Sequence, residues 1–142
     1  MPTQHLFSFE KGERIYRKKQ IEQIFSGGKS RAFSAFPIKM VYCSTNRINE
    51  EAQVQVLISV SKRHFKHAVK RNRIKRQIRE AYRLNKHILL SCLQKDNTEG
   101  FDLAFLWQDN KLYNSEEVHL KVANLLQRLA EKQRKNTIEA QE

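Results

Sequence analysis

The chain has 142 residues, of which 30% are charged and 39% are hydrophobic, and it carries a formal net charge of +12. This length suits one domain with a modest core, and the composition is typical of a folded globular protein and not of a disordered chain. No apolar run approaches the roughly 20 residues that span a bilayer, and the N-terminus contains no apolar stretch typical of a signal peptide. We therefore expect a cytoplasmic protein with one domain over residues 1–132 and a frayed tail over residues 133–142.

The first 40 residues are basic and rich in aromatic side chains. They contain eight Lys or Arg and three acidic residues, and seven of the 13 aromatic residues of the chain precede residue 43. Ile21, Ile24 and Phe25 predict a short helix over residues 17–25, ended by the two glycines at 27 and 28. Such a region could hold single-stranded nucleic acid, because bases stack on rings while cations contact phosphates. Aromatic residues this close together more often belong to the core, so for any one of them core packing is the favoured interpretation.

Three segments are predicted to be β-strands, because apolar residues recur at every second position or fill the whole run. The segments are residues 36–43, 53–60 and 101–107. Pro37 near the start of the first segment indicates an edge strand or an irregular entry. The second segment has one apolar face and one mostly polar face, and the polar face could line a cleft. The third segment is apolar on both faces apart from Asp102, so we place it inside the sheet.

Most of the positive charge lies in residues 62–86, where 11 of 25 residues are Lys or Arg and Glu80 is the only acidic residue. A period of 3.6 residues predicts an amphipathic helix that begins at about Arg71 and continues to about Leu93, with Lys70 and Arg71 projecting freely past its start. Its apolar stripe consists of Ile74, Ile78, Ala81, Tyr82, Asn85, Ile88, Leu89 and Cys92. The opposite face carries Lys75, Arg76, Arg79, Arg83 and Lys86, flanked by Arg73.

The basic face of this helix has two interpretations. A solvated face normally mixes Lys with Glu at i, i+4 spacing. Here Arg dominates, and Glu80 stands alone, where it could orient Arg76 and Arg83. We therefore favour an element that binds a polyanion.

The chain closes with another predicted helix. Asn114 and Glu117 form a capping box, and the apolar stripe that follows consists of Val118, Val122, Leu125, Leu126 and Leu129. The predicted class is α+β, a mixed α/β sandwich in which a small, mostly antiparallel sheet packs against helices. The element order is α-β-β-α-β-α, with room for one further strand before the second helix. The general rule for parallel neighbours predicts a right-handed strand–helix–strand path through residues 53–107.

The chain lacks a recognisable catalytic or metal-binding constellation. A two-metal nuclease needs carboxylates clustered around ions about 4 Å apart, whereas those here are distributed over a loop, a strand and a helix start. They are Asp96, Asp102, Asp109, Glu116 and Glu117. His64 and His67 could form an acid–base pair, but contacts with RNA or with the local turn are favoured. We expect no catalytic residue, no metal ligand and no cofactor in the protein itself.

Zinc and disulfide chemistry are not indicated either. Cys43 and Cys92 are 49 positions apart, without CxxC or Cys/His ligand spacing. Both stand in apolar surroundings, which favours buried free thiols in a reducing compartment over a disulfide.

One contiguous run, from residue 59 to residue 76, resembles the signature of the bacterial ribonuclease P protein subunit. It reads SVSKR at residues 59–63 and AVKRNRIKR at residues 68–76. In that family a strand ending in Val-Ser-Lys precedes a long helix that opens with Arg-Asn-Arg and Ile/Leu-Lys-Arg. The chain length and the order of segments also fit, so the resemblance covers most of the chain.

The resemblance implies the non-catalytic protein subunit of an endoribonuclease, a hydrolase of tRNA processing. The catalyst is then its RNA subunit, which uses magnesium, and the protein binds that RNA and the 5′ leader of precursor tRNA. The implied RNA-subunit contacts are Lys62, Arg63, Lys70, Arg71, Asn72, Arg73, Lys75, Arg76 and Arg79. In the leader cleft, Phe25 and Phe36 match aromatic positions, whereas Ile21 and Lys39 stand where many members also carry aromatics, and Lys39 could hold a phosphate. The family also implies a left-handed β-α-β crossover.

Two other classes of protein share this charge pattern. A structural or ribosomal RNA-binding protein would carry the same cations without needing a single-strand cleft. A DNA-binding basic region that continues into a leucine-zipper coiled coil would need several heptad repeats after Lys86. Residues 87–93 supply only one heptad. We therefore expect RNA partners, without DNA or membrane partners.

Overall fold

The computed structural model describes Phe9 and residues 11–46, 52–93 and 99–141. A short 3₁₀ turn at Lys11–Glu13 precedes four helices and four strands. The helices are α1 (Lys18–Ser26), α2 (Ala68–Asn85), α3 (His87–Leu90) and α4 (Ser115–Gln141). The strands are β1 (Arg31–Ala35), β2 (Ile38–Asn46), β3 (Val54–Ser59) and β4 (Glu99–Trp107). Within these ranges no helix is long and apolar enough to cross a membrane.

The strands form one sheet in the order β1-β2-β4-β3. β1 pairs antiparallel with β2, β2 pairs antiparallel with β4, and β3 runs parallel to β4. The α+β class, the mostly antiparallel sheet and the inner position of β4 are thus confirmed. The additional strand is β1, and Phe36 and Pro37 form the turn before β2 instead of starting a strand. The hand of the β3–α2–β4 crossover stays a prediction.

Helices cover both faces of the sheet. On one face, α2 and α4 pack against β-strand residues such as Met40, Leu103 and Phe105. All five residues of the stripe predicted for α4 are buried there. On the opposite face, Ile24 of α1 packs with Val41 and Ala104. Alternate residues of β2 and β4 therefore contribute to two separate cores, because successive side chains of a strand point to opposite faces.

The basic helix differs from its prediction at both ends. It begins at Ala68, so Lys70 and Arg71 lie in its first turn instead of projecting past it. It ends at Asn85, and Lys86 joins it to the short α3. The prediction that Lys86 lies on the basic face is wrong, because its ammonium is buried and bonded to Glu13 Oε1 at 2.6 Å. Within the apolar stripe, Ile88 and Cys92 are only half-buried, whereas the other members are buried.

The last helix confirms its predicted cap but is longer than expected. The backbone N–H of Glu117 donates to Asn114 Oδ1 at 2.8 Å, and Asn114 Nδ2 donates to Glu117 Oε1 at 3.2 Å. The backbone is helical through Gln141, beyond residue 132, after which fraying was expected. Gln133 is buried and donates to Glu99 Oε1 at 2.9 Å, so tertiary contacts continue past residue 132.

Both cysteines are free, and the predicted burial is confirmed for Cys43 but not for Cys92. Cys43 is buried within β2, and Cys92 is half-buried after α3.

Candidate nucleic-acid interface

The loop between β3 and α2 is held in shape by its own hydrogen bonds. The backbone N–H groups of His64 and Phe65 donate to Ser61 O at 3.1 and 3.2 Å, and Phe65 is buried. Arg71 Nη1 donates to Phe65 O at 2.8 Å and to Lys66 O at 2.9 Å. Arg71 therefore braces the entry to α2, and part of its donor capacity is used within the protein.

The other signature residues differ in exposure. Six are exposed, and they are Lys62, Arg63, Lys70, Asn72, Arg73 and Arg76. Lys75 and Arg79 are half-buried at the margin of the helix face. All these residues belong to one loop and the first three turns of one helix, so the structure brings the predicted RNA-subunit contacts together.

The only acidic residue of the basic segment is neutralised locally. Glu80 forms a salt bridge with Arg83, three residues further along α2. The hydrogen bond from Arg83 lowers the pKa of the Glu80 carboxyl, which keeps it charged. Within the described chain no hydrogen bond or salt bridge joins Glu80 to Arg76, so the expectation that Glu80 also orients Arg76 is wrong. Arg76 is exposed and available to an external anion.

The predicted leader-binding residues lie around α1 and the start of β2. Phe25 near the end of α1 is 49% exposed, and Phe36 in the β1–β2 turn is 60% exposed. Lys39 is half-buried in β2, where it pairs with Ser34 on one side and Leu106 on the other. Ile21 is also half-buried, and it packs against the core beneath α1. The two phenylalanines therefore offer accessible rings, whereas Ile21 mainly supports the helix.

Other N-terminal aromatic residues belong to the core. Phe33 stacks on Tyr42 with ring centroids 5.3 Å apart, and Phe9 meets the edge of Tyr82 at 5.7 Å. For Phe9 and Phe33 the favoured interpretation as packing residues is confirmed.

A buried polar network that the sequence analysis did not assign joins α1 to the sheet. Gln20 Nε2 donates to Asp102 Oδ1 at 2.8 Å and to Gln55 Oε1 at 2.5 Å. Asp102 is buried in β4. Because buried carboxylates need hydrogen-bond partners, this network fixes the position of α1 and therefore of Phe25. The only signal in the sequence was an acidic residue in an otherwise apolar strand.

The two groups of predicted contacts approach one end of the sheet from different sides. β3 reaches the signature loop at Ser59, which pairs with Leu106 of β4. Leu106 also pairs with Lys39 of β2, two positions after the turn that holds Phe36. The cations of α2 belong to the side of the sheet that α2 and α4 cover. Phe25 belongs to the opposite side, which α1 covers. Two distinct surfaces therefore border the same end of the sheet.

Two candidate acid–base residues, His64 and Asp109, are used in separate local contacts. His64 Nδ1 lies 2.7 Å from Asn110 Oδ1. Asp109 accepts a hydrogen bond from Tyr113 Oη at 2.6 Å, which lowers the pKa of the Asp109 carboxyl. Within the described residues no group of three His, Cys, Asp or Glu side chains could hold a metal ion. Asp96 lies outside the described residues.

Sequence comparison relates this chain to known ribonuclease P proteins. A family model for ribonuclease P matches residues 9–130 of this chain. The ribonuclease P protein component of Porphyromonas gingivalis strain W83 is 38% identical over 133 residues, which cover 92% of each chain. That of Chlorobaculum tepidum is 37% identical over 103 residues, which cover 69% of this chain and 66% of the relative.

Solved structures share the fold at lower identity. The Staphylococcus aureus RNase P protein, solved as a mutant with defective mRNA degradation activity, gives a TM-score of 0.64 at 21% identity, with 91% of this chain and 96% of that chain covered. The RNase P protein from Thermotoga maritima gives a TM-score of 0.61 at 21% identity, with 82% of this chain and 96% of that chain covered. The fold follows from these structures and the family from the sequence matches: the chain belongs to the ribonuclease P protein family.

Proposed function

We propose that this protein binds the catalytic RNA subunit of ribonuclease P and the 5′ leader of precursor tRNA, and that it assists endonucleolytic removal of the leader. The observation that carries the proposal is the exposure of the signature cations at the start of α2. Lys70, Arg73 and Arg76 face solvent there, next to Lys62 and Arg63 of the preceding loop. A dense group of exposed cations on one element is the electrostatic footprint of a nucleic-acid-binding surface.

Docking on the RNA subunit would rest mainly on phosphate contacts. Such contacts fix position and orientation without reading sequence. Arg73 and Arg76 each present a planar guanidinium that can hold a phosphate through two hydrogen bonds. Arg71 would act differently, because its bonds to Phe65 O and Lys66 O shape the loop that carries Lys62 and Arg63.

The leader would bind between α1 and the start of β2. Phe25 and Phe36 have rings accessible to bases, and stacking tolerates any base because every base has a π-face. Lys39 would contact a leader phosphate. This mode of binding is independent of leader sequence, so one enzyme could process many precursor tRNAs.

The bond-breaking step is assigned to the RNA subunit, which would also hold the magnesium ions. The RNA subunit and its substrate are both polyanions, and a protein of charge +12 placed between them reduces their repulsion. The protein itself would contribute positioning and affinity, as a component of a cytoplasmic ribonucleoprotein.

A structural or ribosomal RNA-binding protein is the second candidate. It would explain the cations of α2, but it needs no exposed rings near a sheet edge. The discriminating measurement compares affinities for precursor and mature tRNA in the presence of the RNA subunit. A clear preference for the precursor supports the leader-binding function, and equal affinities support the alternative.

The purified protein without RNA is expected not to cleave precursor tRNA, because no group of three His, Cys, Asp or Glu side chains within the described residues could hold metal ions for catalysis. His64, a candidate acid–base residue, contacts Asn110 instead. Addition of the RNA subunit at low magnesium should produce 5′ processing. Metal-dependent turnover by RNase-free protein that disappears on replacing an Asp or His would contradict this assignment.

Variants of the two surfaces are expected to give different binding defects. Arg73→Ala or Arg76→Ala should weaken assembly with the RNA subunit and reduce its log–log salt slope by about 0.7–0.9 per lost phosphate contact. Phe25→Ala should leave assembly nearly unchanged and weaken binding of leader-bearing precursor by about 1–3 kcal/mol, the usual value of one base–aromatic stack. Lys39→Ala should also act on the precursor alone.

The measurement is a pair of titrations for each folded variant across a salt series, one for assembly and one for substrate. Mature tRNA is the control, because it has no leader and its binding should respond little to Phe25→Ala. Identical profiles for Phe25→Ala and Arg73→Ala in both titrations would show a single undifferentiated basic patch.

A further inference from the structure

A cavity of about 190 Å³ lies between β1, β2 and α4. Its position follows from the strand register, in which Arg31 pairs with Tyr42 and Ser44 pairs with Phe101. These residues lie where β1 and β4 begin, whereas the signature loop follows the end of β3. Since β3 and β4 are parallel, this cavity is at the end of the sheet opposite the start of α2.

The cavity combines an apolar base with a cationic rim. Tyr42, Phe101 and Leu129 are buried, whereas Lys29 and Arg31 are exposed. The remaining lining residues are Ser44, Lys132, Gln133 and Asn136. Three cations, two from the start of β1 and one from α4, therefore meet around one recess, together with hydroxyl and amide groups that can bond an anion.

Lys132 is held in place by its neighbours. Its Nζ donates to Tyr42 Oη at 2.9 Å and lies 5.5 Å from the Tyr42 ring centroid and 6.0 Å from that of Phe33. Because the Tyr42 oxygen accepts this bond, its O–H proton can be donated to a ligand. An ammonium and a hydroxyl are thus pre-positioned at the cavity, which reduces the entropy lost on binding.

The charges around the cavity are predominantly positive. Among the described residues that line it there is no carboxylate, and Glu99 is joined to the lining through Gln133, whose Nε2 donates to Glu99 Oε1 at 2.9 Å. Arg128, one turn before Lys132 on α4, lies 4.8 Å above the Phe33 ring and donates to Ser34 O at 2.7 Å. Arg128 therefore adds a fourth cation to Lys29, Arg31 and Lys132 beside the cavity.

We propose that this β1–α4 cavity binds one phosphate group of an RNA in the ribonuclease P holoenzyme, as a docking point separate from α2. The inference rests on the proposed function. A recess with three cations and oriented hydroxyl and amide donors suits a tetrahedral oxyanion better than an extended base. The phosphate could belong to the RNA subunit or to precursor tRNA, and inorganic phosphate offers the same chemistry.

The test uses the double variant Lys29→Gln/Arg31→Gln, which removes two exposed cations and leaves the Lys132–Tyr42 contact in place. Arg134→Gln/Lys135→Gln is the matched control, because these exposed residues of α4 do not line the cavity and their loss changes the net charge equally. Assembly with the RNA subunit and binding of precursor tRNA by the holoenzyme are titrated from 50 to 200 mM salt. Inorganic phosphate is titrated separately into the protein alone and followed by NMR.

The cavity variant is expected to reduce the log–log salt slope of one titration by about 0.7–0.9 relative to the control, about a threefold smaller change of affinity over that salt range. A smaller slope in the assembly titration identifies the RNA subunit as the source of the bound phosphate. A smaller slope in the substrate titration identifies precursor tRNA as its source. Unchanged slopes in both titrations overturn the proposal, including when inorganic phosphate binds the wild-type protein and not the variant.

Arg73→Gln is measured in the same series to separate this inference from the proposed function. If Arg73→Gln weakens assembly and the cavity variant matches its control, only the cavity proposal fails. If Arg73→Gln has no effect either, the proposed function fails with it.

Discussion

Replacing Ile78 with Ala is expected to lower the free energy of unfolding by about 2–5 kcal/mol. Ile78 is 0% exposed and belongs to the core cluster that α2 and α4 form over the sheet. Truncation removes buried methyl and methylene groups and leaves a cavity that surrounding side chains fill only partly. Urea unfolding should show a lower midpoint with an unchanged slope, because the surface exposed on unfolding is nearly the same.

Val69→Ala is the matched control on the same helix. Val69 is 81% exposed, so its truncation removes little buried surface and is expected to change stability by no more than about 0.5 kcal/mol. If Ile78→Ala costs no more than Val69→Ala, the orientation of α2 described here is wrong.

The apolar face of α2 could be predicted because its signal is local. Residues three and four apart share a helix face, so the spacing of Ile74, Ile78 and Tyr82 determined which side is buried. The same reasoning failed at Lys86, since it assumed one continuous helix. The chain leaves α2 after Asn85, and the carboxylate that accompanies Lys86 into the interior belongs to a residue 73 positions earlier. Sequence spacing contains no information on such a partner.

The edge strand β1 was not placed for a related reason. Arg31, Ala32 and Ser34 are exposed, and only Phe33 and Ala35 are half-buried. A strand at a sheet edge with so little burial lacks the alternation of apolar and polar residues that identifies strands in a sequence. Its pairing with β2 depends on tertiary context, including the contact of Phe33 with Tyr42.

The candidate site shows the same division between local and non-local signals. The signature cations could be predicted because they are contiguous, so any helix that begins near residue 70 brings them together. The aromatic residues could not be sorted in this way. Phe25 and Phe33 are eight positions apart in similarly basic surroundings, yet Phe25 is exposed on α1 while Phe33 stacks on Tyr42 with Arg128 above its ring.

The segment before α1 is fixed to the end of α2 by a buried ion pair. Lys86 Nζ lies 2.6 Å from Glu13 Oε1, and the two side chains are 2% and 13% exposed. Phe9 packs against Tyr82 beside this pair. Burial raises the pKa of the Tyr82 hydroxyl, and the charge of Glu13 adds to the effect, so Tyr82 stays neutral.

Replacing Glu13 with Ala is expected to destabilise the fold by about 3–5 kcal/mol, because it removes the carboxylate that the buried ammonium contacts. Lys86→Met should cost less, since Met fills a similar volume without a charge and leaves the carboxylate at the more exposed position. The double variant Glu13→Ala/Lys86→Met should be more stable than Glu13→Ala alone, because no buried ammonium remains. Urea unfolding of the four proteins completes a double-mutant cycle. Additive effects of the two substitutions would show that the pair is not energetically coupled. The N-terminal segment would then be held by its other contacts, such as that of Phe9 with Tyr82 and the hydrogen bond from the Ile15 N–H to Val56 O.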